Sequence, residues 1–143
     1  MTFLVDASVA IKWFVPETLH IEALSLLDGA EQLQAPDLLV VEVANIAWKK
    51  AIKGEISDEE ARRIVTAIPR FFHVIHPSSD YAERALEIAL SLHHPVYDCF
   101  YLACAEEAGM PLITADDRLC RAVEGNSLGA IVRSLHTIDP DGS

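Results

Sequence analysis

The chain has 143 residues, with 22 acidic against 11 basic side chains and a formal charge of −11. That length suits one domain, and a 51% hydrophobic composition with mean hydropathy +0.23 excludes a disordered chain and supplies a core. Six Gly and seven Pro exclude a collagen-like or low-complexity chain.

Phe3-Leu4-Val5 is a short apolar run ending at Asp6 and is expected to be a buried strand. Residues 7–14 can form a short helix stopped before Pro16, and 18–27 carries apolar residues at helical spacing before Gly29. Leu33-Gln34-Ala35 gives a weak second strand, and a long helix is expected over 37–53, closed by Gly54. Ser57-Asp58-Glu59-Glu60 is a capping box, opening a helix that reaches about Ile68 and ends before Pro69. Phe71 to Ile75 is strand-like. Residues 79–92 repeat Ala82, Ala85, Leu86, Ala89 and Leu90 as the core stripe of a helix. Another helix is expected over 98–108, then a strand over 111–114, a short helix over 117–123 and a last strand from Ala130, reaching as far as Leu135. Residues 1–138 form the expected domain, and 139–143 a frayed tail.

Strands alternating with helices predict an α/β domain: a parallel, twisted sheet of about four to five strands with helices on both faces. Ligands of such sheets bind beyond the carboxyl ends of the strands, where the strand order reverses. No apolar run approaches the ~20 residues of a membrane span, and Met1 to Asp6 has no basic leader, so a soluble intracellular protein is expected. Cys99, Cys104 and Cys120 are odd in number and form no C-x-x-C pair. Buried thiols are expected of the first two, and neither a disulfide framework nor a zinc site. A nucleic-acid binder normally carries a basic footprint, which a sequence pI near 4.8 lacks. Either the partner is not nucleic acid, or cations in a metal site neutralise part of the charge, or the chain meets a basic protein.

Four acids draw attention. Asp6 follows the first strand and fits either a helix N-cap or a pocket wall. Glu42 lies within Leu39-Val40-Val41-Glu42-Val43-Ala44-Asn45-Ile46, where a carboxylate is costly to bury unless paired, protonated or metal-bound. Asn45 shares its helix face, and the Glu42–Asn45–Lys49 stripe fits a pocket wall or a solvated face. Asp98 precedes an apolar helix and fits an N-cap or a ligand. Of Asp116 and Asp117, the second lies nearer the following helix and is the expected cap, which leaves Asp116 for the pocket. Clustered carboxylates repel unless a cation lies between them, and hard oxygen donors suit Mg²⁺ or Mn²⁺. Such a site can support phosphodiester hydrolysis.

These stretches resemble the PIN-domain ribonucleases, most closely the VapC-type toxins of toxin–antitoxin pairs. Four segments carry the resemblance: Phe3-Leu4-Val5-Asp6-Ala7-Ser8, residues 35–45 with Glu42 and Asn45, Tyr97-Asp98-Cys99-Phe100-Tyr101-Leu102-Ala103, and Leu112-Ile113-Thr114-Ala115-Asp116-Asp117-Arg118-Leu119. The resemblance implies a metal-dependent endoribonuclease that leaves a 5′-phosphate and a 3′-hydroxyl. Asp6, Asp98 and Asp116 would hold Mg²⁺ or Mn²⁺, and Glu42 would complete the quartet. Ser8, Asn45 and Thr114, grouped with Asp117 as a candidate fifth acid, would orient ligands or the acids. Lys12, Lys49 and Lys53, with Lys50, Arg62 and Arg63, are candidates for phosphate contacts or ordinary solubilising groups. The resemblance also implies a homodimer, a VapB-type antitoxin, an RNA substrate and a cytoplasmic location.

Two rivals remain at this point. A non-catalytic or differently targeted RNA-processing protein would keep the same fold. Haloacid-dehalogenase-type phosphatases also place an Asp after the first strand but want a second Asp two residues on, where this chain has Ser8, and phosphoacceptor receiver domains want an acid pair near the first strand and a late Lys; neither pattern is met. His93 and His94 are expected at a solvated helix end, His73 and His76 have no assigned role, and Trp13 and Trp48 are expected as core or dimer anchors.

Overall fold

A computed structural model describes residues 1–142; of the expected frayed tail, Ser143 lies outside the described residues. The strands are β1 (Thr2–Val5), β2 (Gln32–Pro36), β3 (Val74–His76), β4 (Leu112–Thr114) and β5 (Val132–Ser134). The helices are α1 (Ala7–Ala10), α2 (His20–Gly29), α3 (Leu38–Ile52), α4 (Asp58–Ala67), α5 (Ala82–Leu92), α6 (Val96–Ala108) and α7 (Asp117–Val123), with short 3₁₀ turns between several of them.

The five strands form one parallel sheet in the order β3-β2-β1-β4-β5. From β1 the chain steps outward to β2 and β3, then returns past β1 to β4 and β5. Right-handed crossovers therefore put helices on opposite faces of the two halves. The central strand is buried on both sides: Phe3, Leu4 and Val5 have no exposed surface. That is why β1 is a continuous apolar run and not an alternating one. The order reverses between β1 and β4, so the crevice opens beyond Val5 and Thr114.

Helix α6 packs across β1, β2 and β4 and buries Cys99, Leu102, Cys104 and Ala105. Burial pushes the Cys99 and Cys104 thiols up to about 11, consistent with inert core cysteines. Trp13 is also core, its indole N–H donating to the Ala23 carbonyl at 2.9 Å. The capping box is present: Glu60 N–H donates to Ser57 Oγ at 3.1 Å, and Ser57 N–H to Glu60 Oε1 at 3.2 Å.

Several boundaries differ from the sequence expectation. After α4 the chain continues as a 3₁₀ turn over Ile68–Phe71, with Pro69 in its first turn, where a missing N–H costs nothing. Phe71 and Phe72 are not strand residues. They pack on Trp13 with ring centroids 5.2 and 5.8 Å away, so aromatic packing outcompetes sheet pairing there. A 3₁₀ turn over Ser78–Tyr81 precedes α5, whose buried stripe is Ala85 and Ile88. Leu86 and Leu90 face outward, 53% and 68% exposed. Trp48 is not core either: it stands 58% exposed on α3. The last strand is shorter than expected, because Ser127–Ile131 form a 3₁₀ turn. Residues Asp139 to Gly142 close an exposed turn, with Gly142 N–H donating to the Asp139 carbonyl. Among the described residues, no helix is long and apolar enough to cross a membrane.

Candidate active site

Beyond the carboxyl ends of β1 and β4 lies a cleft of about 570 Å³. Asp6, Glu42, Asp98 and Asp116 all line it, with Ser8, Asn45, Tyr97 and Tyr101 and an apolar wall of Leu38, Val41 and Ile46. Residues drawn from β1, α3, α6 and the end of β4 thus meet in one place. No Lys, Arg or His lies among the lining residues. Carboxylates collected without a countercharge create a strongly negative cup.

Asp6 is the most constrained of the four. It caps α1, its Oδ1 accepting from Val9 N–H at 3.3 Å and from the Ser8 hydroxyl at 2.5 Å. Thr114 donates its hydroxyl to Oδ2. Both readings of Asp6 therefore hold at once: it is a cap and a cleft residue. Ser8 Oγ in turn accepts from Ala115 N–H at 3.0 Å, and Thr114 Oγ1 accepts from Asp116 N–H at 3.0 Å. These bonds tie the loop after β1 to the loop after β4, across strands already in register. Burial, reinforced by the Asp98 charge, raises the Asp6 carboxyl from 3.8 to about 7, against the opposing hydrogen bonds from Ser8, Thr114 and Val9.

Glu42 faces the cleft one turn before Asn45, and the buried Tyr101 hydroxyl donates to its Oε1 at 2.5 Å. Burial raises the Glu42 carboxyl, the Tyr101 bond opposes the rise, and Asp98 adds to it. Burial and the Glu42 charge hold the Tyr101 phenol well above its ordinary value, so it remains a donor. Asp98 is not an N-cap. Helix α6 starts two residues earlier, after Pro95, which puts Asp98 in its first turn. There its Oδ2 meets His94 Nε2 at 2.7 Å.

The expected division between Asp116 and Asp117 is corrected. Asp116 is itself the N-cap of α7, its Oδ1 accepting from Arg118 N–H at 2.9 Å and Leu119 N–H at 3.4 Å, and it also lines the cleft. Asp117 is 61% exposed, lies 3.6 Å from His136 Nε2 and is not a cleft residue. Extended backbone at the cap residue lets one carboxylate bond the helix N-terminus and still border the crevice.

The basic candidates sit elsewhere. Lys12 is bound to Glu17 Oε1 at 3.2 Å, and Lys50 to Glu17 Oε2 at 2.7 Å. Burial alone would raise Glu17, but hydrogen bonds and charge from Lys50 and Lys12 hold it below 4.5. Lys49 and Lys53 are exposed, and none of these lysines lines the cleft. His93 is exposed and ends α5 in the left-handed region. His94 is not solvated: its side chain is 8% exposed. His73 Nδ1 accepts from Leu33 N–H at 3.0 Å, and His76 Nε2 meets Gln34 Oε1 at 2.6 Å, so both brace β2. Sequence reasoning gave no role to Tyr101, although its spacing of three from Asp98 puts both on one helix face.

Hard oxygen donors with no competing cation suit Mg²⁺ or Mn²⁺ over softer metals. Among the described residues, no three acidic, imidazole or thiol groups are drawn together tightly enough to hold one ion. The donor set fits a divalent cation chemically, while its carboxylates line the cleft wall without closing on a common centre.

Comparison with known proteins gives a consistent result. The model of the PIN domain matches residues 3–125. The chain is 34% identical over 121 residues to Ribonuclease VapC3 of Pyrobaculum aerophilum, covering 83% of this chain and 92% of that protein. It is 30% identical over 117 residues to Ribonuclease VapC12 of Mycobacterium tuberculosis, covering 82% of this chain and 88% of the other. The fold superposes on the crystal structure of PAE2754 from Pyrobaculum aerophilum with a TM-score of 0.71 at 24% identity, covering 96% of this chain and 92% of that one.

Proposed function

The chain belongs to the PIN-domain family, and we propose that it is a divalent-metal-dependent endoribonuclease, the toxin of a toxin–antitoxin pair. The observation that carries this reading is the meeting of Asp6, Glu42, Asp98 and Asp116 in one cleft without a cationic side chain. Relatives named as ribonucleases over more than four-fifths of the chain support the choice of RNA.

Asp6, Asp98 and Asp116 would hold Mg²⁺ or Mn²⁺, with Glu42 completing the set. When bound, such an ion polarises a phosphoryl oxygen and lowers the pKa of water. Ser8 and Thr114 fix the Asp6 carboxylate from both sides, Tyr101 fixes Glu42, and the Asp116 cap bonds fix Asp116. The exposed side chain of Asn45 borders the same cleft, where it would orient a scissile phosphate. The apolar wall of Leu38, Val41 and Ile46 restricts water on one side.

A homodimer and a VapB-type antitoxin belong to the same reading. Val41, Trp48 and Ile52 on α3 are 65%, 58% and 70% exposed, leaving apolar surface for a protein partner to cover. The same reading implies a cytoplasmic location.

The test is RNA cleavage with Mg²⁺ or Mn²⁺ by the wild type, Asp6→Asn and Asp98→Asn, with the product ends sequenced. Cleavage by the wild type that leaves 5′-phosphates, abolished by EDTA and by either substitution, is expected. Full activity in both variants would reject the site. RNA binding without cleavage by the wild type would favour a non-catalytic PIN-fold protein.

A further inference from the structure

We propose that His94 is a positioning residue for the metal site: its imidazole N–H fixes the Asp98 carboxylate so that one oxygen is left to face a divalent cation. The inference rests on the proposed metal-dependent reading and adds to it a residue outside the acidic quartet.

The geometry begins with the backbone. His93 ends α5 in the left-handed region at φ +53°, an uncommon conformation for a residue with a Cβ, and Pro95 opens α6. His94 is held between these two constraints, and its own N–H donates to the Ala89 carbonyl at 3.2 Å. The turn thus delivers the ring onto the first turn of α6, one helical turn before Asp98. Its side chain is 8% exposed and Asp98's is 26% exposed, so the bond is shielded on the His94 side and open on the cleft side.

The chemistry gives the bond a direction. An ionised carboxylate only accepts, so Nε2 carries the proton and donates across 2.7 Å to Oδ2. A carboxylate on the first turn of a helix, with its neighbours Asp6 and Glu42 also acidic, has reason to rotate away from them. Commitment of Oδ2 to His94 removes that freedom and keeps Asp98 on the cleft. Partners that hydrogen-bond metal-ligating carboxylates typically contribute about 10–100-fold in metal affinity. Without His94, the ordering cost of Asp98 falls on the binding step.

Calorimetric titration of the full chain with Mn²⁺ tests the assignment. His94→Leu, which fills similar volume without a donor, is expected to weaken Mn²⁺ binding by about 10–100-fold. His94→Gln, whose Nε2–H reaches the same region, is expected to restore most of that affinity. In an Asp98→Asn background, His94→Leu is expected to change Mn²⁺ affinity no further, which a general structural defect would not produce. Should His94→Leu fail to fold, His94→Asn serves in its place, because its shorter arm withdraws the donor. Wild-type affinity in the Leu or Asn variant, equal losses in both backgrounds, or no recovery with Gln would overturn the role of His94 alone. A wild type that neither binds Mn²⁺ nor cleaves RNA would overturn the metal-dependent reading with it.

Discussion

Replacing Asp6 with Asn should stabilise the metal-free protein at alkaline pH. The Asp6 carboxyl is buried and its pKa is raised from 3.8 to about 7. A raised folded-state pKa means that the folded chain holds this proton more tightly than the unfolded one. The stability it contributes is therefore complete below pH 3.8 and lost as pH rises to about 7. The rise from 3.8 to about 7, at about 1.4 kcal/mol for each tenfold change in proton affinity, sets the loss at about 4 kcal/mol. Asn has the same shape and no charge to ionise. Its oxygen can accept from Ser8 and Val9, and its amide can donate to the Thr114 hydroxyl. Urea unfolding in EDTA should show the two proteins nearly equal at pH 4 and the variant ahead at pH 8, by up to about 4 kcal/mol. Mn²⁺ should then narrow that gap at pH 8, because the wild type binds it more tightly; at a hundredfold excess over the wild-type Kd that linkage is worth up to about 2.7 kcal/mol. A variant less stable than wild type at pH 8 in EDTA, or a difference that does not change with pH, would refute the reasoning.

Further outcomes follow from the surrounding contacts. Tyr101→Phe removes the 2.5 Å donor to Glu42 and should cost about 1.5–3 kcal/mol in urea unfolding, while raising the Glu42 carboxyl further in NMR titration. Glu17→Gln breaks the link between Lys12 and Lys50. Because the Glu17 pKa is depressed in the fold, its stability is present above the unfolded value and lost as pH falls through the folded one. The wild type should exceed Glu17→Gln by about 0.5–1 kcal/mol at pH 7 in chemical unfolding, and the gap should close as the pH falls below the ordinary Glu range.

The features legible in the sequence were those set by local rules. Apolar runs marked β1 and β4, and the Ser57–Glu60 capping box marked the start of α4. The acids of the cleft were legible because each follows a strand end or interrupts an apolar helix, and topology then joins them. Features set by tertiary competition were not. Phe71 and Phe72 have strand-forming side chains, yet the Trp13 ring offers them a better partner. The outward-facing Leu86 and Leu90 of α5 break the assumption that every Leu stripe is core. Proximity to the helix pointed to Asp117 as the cap, but capping depends on the extended backbone that Asp116 adopts. His94 read as a solvated helix end because the sequence does not show that the turn after α5 folds its ring against Asp98.

Crystals of the wild type soaked in Mn²⁺ and measured at the manganese absorption edge test the central claim most directly. An anomalous peak in the cleft, ligated by oxygens of Asp6, Asp98 and Asp116 with Glu42 beside it, is the predicted result. Saturating Mn²⁺ with no peak there, or a peak held by other residues while these four carboxylates stay apart, would contradict it.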